Sequence, residues 1–467
     1  MKQGIHNPAC VVNQVKIEFT QKPITAWGGI ATLIAKFLEV IEFRSWVETN
    51  IPIKETSPNG GGIYEKVLAQ FLTALVGGDR FSHLLWLSHG IEAIKKAFGV
   101  DWLPKASSTL TRFWGKFKTW VRAEALAEKA RALAVRIIQY AGIGEDNLNL
   151  DSRVLTRYGQ QEGAKKGYNP KKRGRPSHHP LLAYLGSGYL VNLWNRSGDT
   201  FSGQRAKGFF QQSIQALGAV FKVKRVLCDT GFYLIEFIKY LESEHYTYII
   251  AARLCFNLQK EIDRIKDWKR IVPGIEVASF YFQHGDKKWE KPRRYVVVRQ
   301  EVGQRPQATG KQLRLFENLD DGKDYRFSAF ITNDEVSAPE EVWREYRPRA
   351  NDENVNKELK EGYGFDSFCL HSFYATEAVM IMNALVFHNL ICLLNQKVFN
   401  PGKPQEQLKT LRGKYFIIPA MLGASGGYPV LRLGVSVKKV RSRILYLLNL
   451  IAQIKWRLNC IAVRAAA

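Results

Sequence analysis

Residues 346–360 read YRPRANDENVNKELK and combine a phenol, cations and carboxylates at spacings typical of one helix face. The pattern consists of Tyr346, Arg349, Glu353 and Lys360. Because a helix advances by about 100° per residue, spacings of three, four and seven residues place these four in one narrow stripe. Asp352 and Glu358 point away from that stripe. The stretch therefore predicts a helix that handles phosphate or metal, with Glu353 as its acid.

The chain is strongly basic, with 68 Lys and Arg against 43 Asp and Glu and a net charge of +25 at pH 7. Such a charge increases self-repulsion and predicts a polyanionic partner. Nucleic acid is the first candidate, and an anionic membrane surface is the alternative. Residues 397–467 hold 13 Lys and Arg against one acid, Glu406. This basic C-terminal region is predicted to contact DNA backbone or a second subunit.

Several function classes are disfavoured by composition. The six cysteines are scattered without a C-x-x-C pair, which argues against a zinc site and fits a reducing cytosol. The most apolar stretch, residues 378–394, contains three polar residues and predicts a buried core helix rather than a membrane span. The first ten residues lack the layout of a signal peptide. We therefore expect a cytoplasmic, nucleoid-associated protein without a membrane partner.

Residues 1–145 have apolar residues at helical spacing and predict an N-terminal all-helical domain. Within it, a short helix, a turn and a second short helix carrying Arg112 are compatible with a helix-turn-helix DNA reader. A small helical bundle with a solvated basic face fits the same pattern. The sequence leaves both interpretations open.

Beyond residue 145 the apolar pattern changes to that of strands, and helices alternate with the later ones. Strands are predicted at 147–155, 182–193, 223–229 and 246–252. Three more, separated by turn signals, predict an antiparallel insertion at 277–282, 294–298 and 325–332. Helix resumes near residue 339. This order predicts a mixed α/β fold.

Two acids belong to predicted strands: Asp151 lies within the first, in LNLDSRVL, and Asp229 lies at the C-terminal end of another, in VLCDTGFY. Carboxylates at strand ends can project into the crevice outside a sheet, although a single Asp after a strand is usually a turn or helix cap. Together with Glu353 they supply three hard oxygen ligands. That set suits two Mg²⁺ ions about 4 Å apart, the arrangement used for in-line phosphodiester displacement.

At these residues the chain resembles the bacterial insertion-sequence transposases of the DDE type, in the group with the signature Y-x2-R-x3-E-x6-K. All four signature positions match within residues 346–360. LDSRVLTRYGQQEGAKKGYNPKKRGRPSHHPLLAYL (150–185) resembles the first-Asp block of that group, and CDTGFYLIEFIKYLESEHYTYIIAAR (228–253) resembles its second. GGDRFSHLLWLSHGIEAIKKAFGVDWLPKASSTLTRF (77–113) resembles its N-terminal region. The resemblance covers roughly residues 25–460.

The resemblance implies an α/β fold with an RNase-H-like catalytic core, interrupted by an antiparallel β insertion and preceded by the all-helical domain. The implied parts are 1–145 (helical, end-binding), 146–265 (first part of the core), 266–338 (β insertion), 339–396 (core helices with the catalytic Glu) and 397–467 (basic C-terminal region). Pro348 departs from many relatives. Because proline is tolerated only in a first helical turn, it predicts a helix start near Arg347.

The implied activity is cut-and-paste transposition: hydrolysis at the inverted-repeat ends of the element, then attack of the freed 3′-OH on target DNA. Asp151, Asp229 and Glu353 would form the catalytic, metal-binding triad for two Mg²⁺ ions, with Mn²⁺ able to substitute. Tyr346, Arg349 and Lys360 would contact DNA phosphates near the cut. The implied partners are double-stranded DNA and a second copy of the chain, in a homodimer on paired ends.

A basic loop and a tryptophan add further candidates. The loop carries Lys171, Lys172, Arg173 and Arg175 among Gly and Pro. Its RGRP core fits either a minor-groove hook or a flexible phosphate-binding loop without base preference, which we favour. Trp289 is a candidate for stacking a flipped base, and a partly buried strand Trp is the plainer interpretation.

Two rival functions share these sequence features. One is a DNA-binding protein derived from such a transposase that has lost catalysis. The other is a structure-selective nuclease with the same core. The intact triad argues against the non-catalytic protein. An assay for strand transfer distinguishes the nuclease from a transposase.

Overall fold

The computed structural model describes residues 11–12, 15–16, 20–55, 60–88, 90–170, 172–312, 324–347 and 352–458. Lys171 and Arg349 lie outside the described residues, and so does the side chain of Glu353. The α-helices are α1 (Ala35–Val40), α2 (Phe43–Asn50), α3 (Ile63–Leu75), α4 (Ile91–Ala97), α5 (Ser107–Trp114), α6 (Trp120–Ala141), α7 (Ala206–Leu217), α8 (Ile235–Ser243), α9 (Phe256–Asp263), α10 (Pro339–Tyr346), α11 (Asp352–Tyr363), α12 (Phe373–Ile381), α13 (Asn389–Leu394), α14 (Leu408–Leu411) and α15 (Lys438–Ala452).

The strands are short apart from those of one large sheet. They are β1 (Val11–Val12), β2 (Val15–Lys16), β3 (Ile24–Thr25), β4 (Glu145–Ser152), β5 (Leu155–Thr156), β6 (Lys165–Lys166), β7 (Pro176–His178), β8 (Leu181–Leu185), β9 (Leu190–Trp194), β10 (Lys222–Cys228), β11 (Tyr248–Ala251), β12 (Lys269–Val272), β13 (Ile275–Phe282), β14 (Arg293–Glu301), β15 (Lys311–Gln312), β16 (Tyr325–Thr332), β17 (Ala420–Ser425) and β18 (Tyr428–Leu433). The predicted mixed α/β fold is confirmed. The prediction that residues 1–145 are all-helical is wrong, because they also hold the short strands β1–β3, and β3 pairs with β17 of the C-terminal region.

The large sheet has the strand order β12-β13-β14-β16-β11-β10-β4-β8-β9, with β15 paired to β16. β10 runs parallel to both β4 and β11, whereas β8 and β9 form an antiparallel meander with β4. The three strands predicted as an insertion are present, and they extend this same sheet. β16 pairs antiparallel with β11, with Ile331 opposite Ile250. The residues between 269 and 332 therefore widen the sheet at the side of β11.

The single strand predicted at 182–193 is wrong, because the segment folds as the hairpin β8–β9. Gly188, in the turn, has φ +91°, a backbone conformation that favours glycine. The Asp146 carboxylate accepts a hydrogen bond from the Ser187 backbone N–H at 2.8 Å and so fixes the turn. The run Gly186-Ser187-Gly188 within this apolar segment is the turn signal that the prediction of a single strand overlooked.

One continuous apolar core joins the N-terminal helices to the sheet. The long helix α6 packs against α12 and against β9, and core residues extend from Ile30 to Leu458. Among the described residues, one helix, Phe373–Phe399, is long and apolar enough to cross a membrane, and 94% of its most apolar window is buried inside the protein. Burial of this helix agrees with the predicted core helix at 378–394. The domain boundaries stay a prediction.

The described residues of the signature lie on two helices. Tyr346 ends α10, and α11, described from Asp352, carries Glu353 and Lys360. Pro348 and Arg349 lie between them, outside the described residues. The predicted helix start near Arg347 therefore stays a prediction.

Candidate active site

Asp151 and Asp229 end two neighbouring parallel strands. Asp151 lies in β4 and is buried, with 9% of its surface exposed. Asp229 directly follows β10 and caps the turn Thr230–Phe232, where its Oδ1 accepts a hydrogen bond from the Gly231 N–H at 2.8 Å. The register pairs Cys228 with Leu150. The two acids therefore occupy adjacent positions at the carboxyl ends of the strands, the edge where α/β sheets bind ligands.

Asn356 connects helix α11 to this acid pair. Its Nδ2 donates a hydrogen bond to Asp151 Oδ2 at 2.6 Å, and the residue is 8% exposed. Glu353 stands three residues earlier, so its position is on the same face of α11 as Asn356. The helix thus brings the third predicted acid position to the side of β4 and β10. The sequence prediction missed Asn356, although it lies on the Glu353–Lys360 stripe.

Tyr346 holds the end of strand β10. Its hydroxyl donates to the Cys228 carbonyl oxygen at 3.1 Å, and its ring centroid lies 4.5 Å from that of Phe330 on β16. These contacts fix the backbone that immediately precedes Asp229. The sequence predicted a phosphate contact for Tyr346, and the structure gives it this anchoring position beside the acids.

A cavity of about 750 Å³ opens beside Asp151 and is also lined by Thr230, Trp343, Tyr346 and Asn356. Three exposed cations from three different segments lie along it: Arg253, Lys311 and Arg347. The sequence prediction did not single these cations out, because their positions have no periodic relation to the acids. The cavity thus places the Asp151 carboxylate and three cations around one space, which suits a phosphodiester substrate.

His179 braces the end of strand β4 from the other side. Its Nδ1–H donates to the Thr200 carbonyl at 2.7 Å, and its Nε2 lies 3.2 Å from Ser152 Oγ. Burial lowers the pKa of His179 below its usual value, which keeps the ring neutral near pH 7. A neutral ring can donate through Nδ1 and accept through Nε2. The residue after Asp151 is therefore fixed by a hydrogen bond to its side chain.

Lys360 lies at a second cavity rather than at the first. Its Nζ is 3.2 Å from Asp366 Oδ2, and its side chain is 54% exposed. Lys172 lines the same second cavity, whereas Arg173 and Arg175 are exposed on the loop between β6 and β7. That loop belongs to the small sheet β5-β7-β6, so the predicted basic loop is presented on a β scaffold.

Two remaining candidates lie elsewhere. Arg112 is exposed on α5, and its Nε donates to the Ser108 carbonyl at 3.2 Å. Trp289 lies in the connection between β13 and β14 and is 8% exposed. Its ring packs 4.3 Å from His284, and Arg293 lies 5.5 Å from its centroid. Base stacking on Trp289 stays a prediction, and it requires one of these partners to move.

Comparison with known proteins gives the family. The family model described as transposase DDE domain group 1 matches residues 8–456. The chain belongs to this transposase family. The match to a DDE domain implies an enzyme that cleaves DNA and transfers strands.

The other comparisons add little to the family match. Among curated proteins, none matches this transposase. A solved structure, a cryo-EM piggyBac transposase synaptic complex with hairpin DNA, is 13% identical, with a TM-score of 0.38 over 85% of this chain and 82% of that one. At this TM-score the likeness supports no further conclusion.

The donor set of the transposase fits a hard divalent cation. Within the described residues no three His, Cys, Asp or Glu side chains form a metal cluster, and the side chain of Glu353 is outside that description. Asp151 and Asp229 offer carboxylate oxygens, and Asn356 Oδ1 is buried without a hydrogen-bond partner in the described part of the chain. Carboxylate and amide oxygens are the ligands that Mg²⁺ and Mn²⁺ prefer.

Glu358 makes the docking of α11 dependent on pH. It accepts a hydrogen bond from the Leu408 N–H at 2.6 Å, and burial raises its pKa to about 7. Folding therefore favours the neutral acid, and its contribution is complete below about pH 4.5 and lost as pH rises towards 7. Across that window, we expect wild type to lose about 3 kcal/mol of unfolding free energy relative to Glu358→Gln.

Denaturant unfolding at several pH values measures this difference. Glu128→Gln, at an exposed position on α6, is the control and should leave the pH dependence of wild type unchanged. Parallel pH profiles for wild type and Glu358→Gln would contradict the prediction.

Proposed function

We propose that this chain is the cut-and-paste transposase of a bacterial insertion sequence, acting on the inverted-repeat ends of its element. One observation carries the proposal. Asp151 and Asp229 end adjacent parallel strands, and Asn356 of α11 donates a hydrogen bond to Asp151. This contact draws the helix that bears Glu353 to the acid pair, so three carboxylates from distant segments can serve one site.

The sheet supports an RNase-H-like core within the transposase. Strands β9, β8, β4, β10 and β11 are consecutive, with an antiparallel meander on one side of β4 and parallel strands on the other. On this interpretation, residues 146–265 and 339–396 form the core. The strands β12–β16 are then its insertion, continuing the sheet beyond β11.

In the proposed mechanism Asp151, Asp229 and Glu353 would hold two Mg²⁺ ions, which when bound would supply an activated oxygen nucleophile and stabilise the leaving oxygen. Asn356 fixes the orientation of the Asp151 carboxylate, and Tyr346 fixes the strand end before Asp229. Arg253, Lys311 and Arg347 bind backbone phosphates at the cavity rim. The same residues serve hydrolysis and the later attack by the 3′-OH, since both are in-line displacements at phosphorus.

The test is cleavage of DNA carrying the ends of the element, followed by strand transfer into a target plasmid. Mg²⁺-dependent cleavage with joined products supports the proposal. Binding without cleavage would indicate a transposase-derived DNA-binding protein, and cleavage without joining a structure-selective nuclease. Sedimentation of the paired-end complex tests the proposed homodimer.

Lys360→Ala should weaken binding of the element ends and lower the slope of log K against log [salt] by about one unit, because one phosphate contact is lost. Fluorescence anisotropy at several KCl concentrations measures this slope. Lys357→Ala, at another exposed position on α11, is the matched control. An unchanged slope for Lys360→Ala would mean that Lys360 does not contact DNA.

A further inference from the structure

The second cavity is a strongly basic cleft of about 510 Å³ next to the acid site. Its walls come from the segment after β4, the basic loop at Lys172 and the residues around the end of α11. Among the described residues that line it, one is a carboxylate, Asp366, and five are cations: Arg80, Arg153, Arg157, Lys172 and Lys360. Low-dielectric walls lined by one sign of charge focus the field on an anion.

Arg157 forms the buried floor of this cleft and is only 2% exposed. Its Nε donates to His178 Nδ1 at 3.1 Å, and its Nη1 donates to the Asp366 carbonyl at 2.6 Å. Its Nη2 is buried and has no hydrogen-bond partner in the described part of the chain, and the same is true of Arg153 Nη1. Buried donors without acceptors are costly, so this pair of guanidinium groups indicates a missing anion.

The cleft lies close to the predicted point of cleavage. Arg153 follows Asp151 by two residues, and Lys360 follows Asn356 by four. Because a helix rises 1.5 Å per residue, Lys360 is about 6 Å further along α11 than the residue that bonds Asp151. One or two nucleotides span about that distance along a DNA strand.

We propose that this cleft binds one backbone phosphate of the DNA strand, one or two nucleotides from the phosphodiester that is cleaved. Arg157 and Arg153 supply the buried guanidinium donors, and Lys172 and Lys360 supply exposed cations. Of the described residues that line this cleft, the resemblance to insertion-sequence transposases assigns Lys360 alone to DNA, so the arginine floor is new. The proposal rests on the proposed function, because the phosphate belongs to its DNA substrate.

A double-mutant cycle that combines protein substitutions with replacements of DNA phosphates tests the proposal under conditions in which no cleavage occurs. Binding of end DNA is measured in EDTA, with single phosphates replaced in turn by neutral methylphosphonates. One position near the cut should weaken wild-type binding about tenfold, and the same replacement should have no further effect on Arg157→Gln or Lys172→Gln. Arg173→Gln, beside Lys172 but outside the cleft, is the matched control and should keep the full effect. The proposal would be overturned if each methylphosphonate replacement weakened DNA binding by the same factor in all variants.

A Tm measurement in inorganic phosphate distinguishes a wrong assignment of the cleft from a wrong proposed function. At constant ionic strength, phosphate in place of chloride should raise the Tm of the wild-type chain, because it binds the folded state. This rise in Tm should disappear in Lys172→Gln and persist in Arg173→Gln. Because the Lys172 side chain is exposed, its replacement should not impair folding. Such a rise in a chain without cleavage would retain the anion cleft and reject the transposase mechanism. Cleavage with neither this rise nor the methylphosphonate coupling would retain the mechanism and reject the cleft.

Discussion

Asp151→Asn should abolish DNA strand cleavage while leaving end binding within about twofold of wild type. The amide has the shape of the carboxylate but carries no charge to hold a divalent cation, so the loss should be at least about 1000-fold, or about 4 kcal/mol of transition-state stabilisation. Cleavage of labelled end DNA in Mg²⁺ measures the rate, and anisotropy in EDTA measures binding.

Asp229→Asn and Glu353→Gln should give the same result, since all three acids serve one site in the proposed mechanism. Asp352→Asn is the matched control for Glu353→Gln, because Asp352 is its neighbour in sequence and helical spacing predicts a different face for it. The control should cleave at nearly the wild-type rate. Full cleavage by any of the three variants would remove that acid from the triad.

Asn356→Leu should lower the cleavage rate by about 10- to 100-fold and raise the metal concentration needed for half-maximal rate. Leucine has a similar volume but cannot donate to Asp151 Oδ2. Loss of a partner that orients a ligand usually has an effect of this size. A Mg²⁺ titration of the cleavage rate measures both quantities, and circular dichroism verifies that α11 still forms.

Asn354→Leu is the matched control for this change, since Asn354 is exposed two residues earlier on α11. Its metal dependence should equal that of wild type. If Asn356→Leu loses stability but keeps the wild-type metal titration, Asn356 only packs the helix and does not orient Asp151.

The sequence predicted the place of Asp229 more closely than that of Asp151. Asp229 follows a strand whose apolar and β-branched content is local, so its position at the strand end could be predicted directly. Asp151 was expected inside a strand over 147–155, and in the structure β4 ends one residue after it, at Ser152. The signature residues were placed on one helix by angle alone, and the structure describes them on α10, which ends at Tyr346, and on α11 from Asp352. Periodicity describes a helix only while its hydrogen-bond ladder continues.

The sequence could not predict polar contacts between distant segments. Asn356 and Asp151 are 205 residues apart, and their hydrogen bond exists only because α11 docks on β4. The basic cleft similarly joins Arg157 to Lys360. No period or motif links such pairs, since their proximity depends on how the whole sheet and its helices pack.

The sequence by itself determined the chemistry of this protein: the basic charge, the acids and the family signature are local properties of the chain. Tertiary structure alone decided which groups share a site. In the folded protein Tyr346 bonds the end of β10, Lys360 lines a second cavity, and Trp289 packs against His284 and Arg293. The physical reason is that burial and hydrogen bonding act between elements, and only packing brings those elements together.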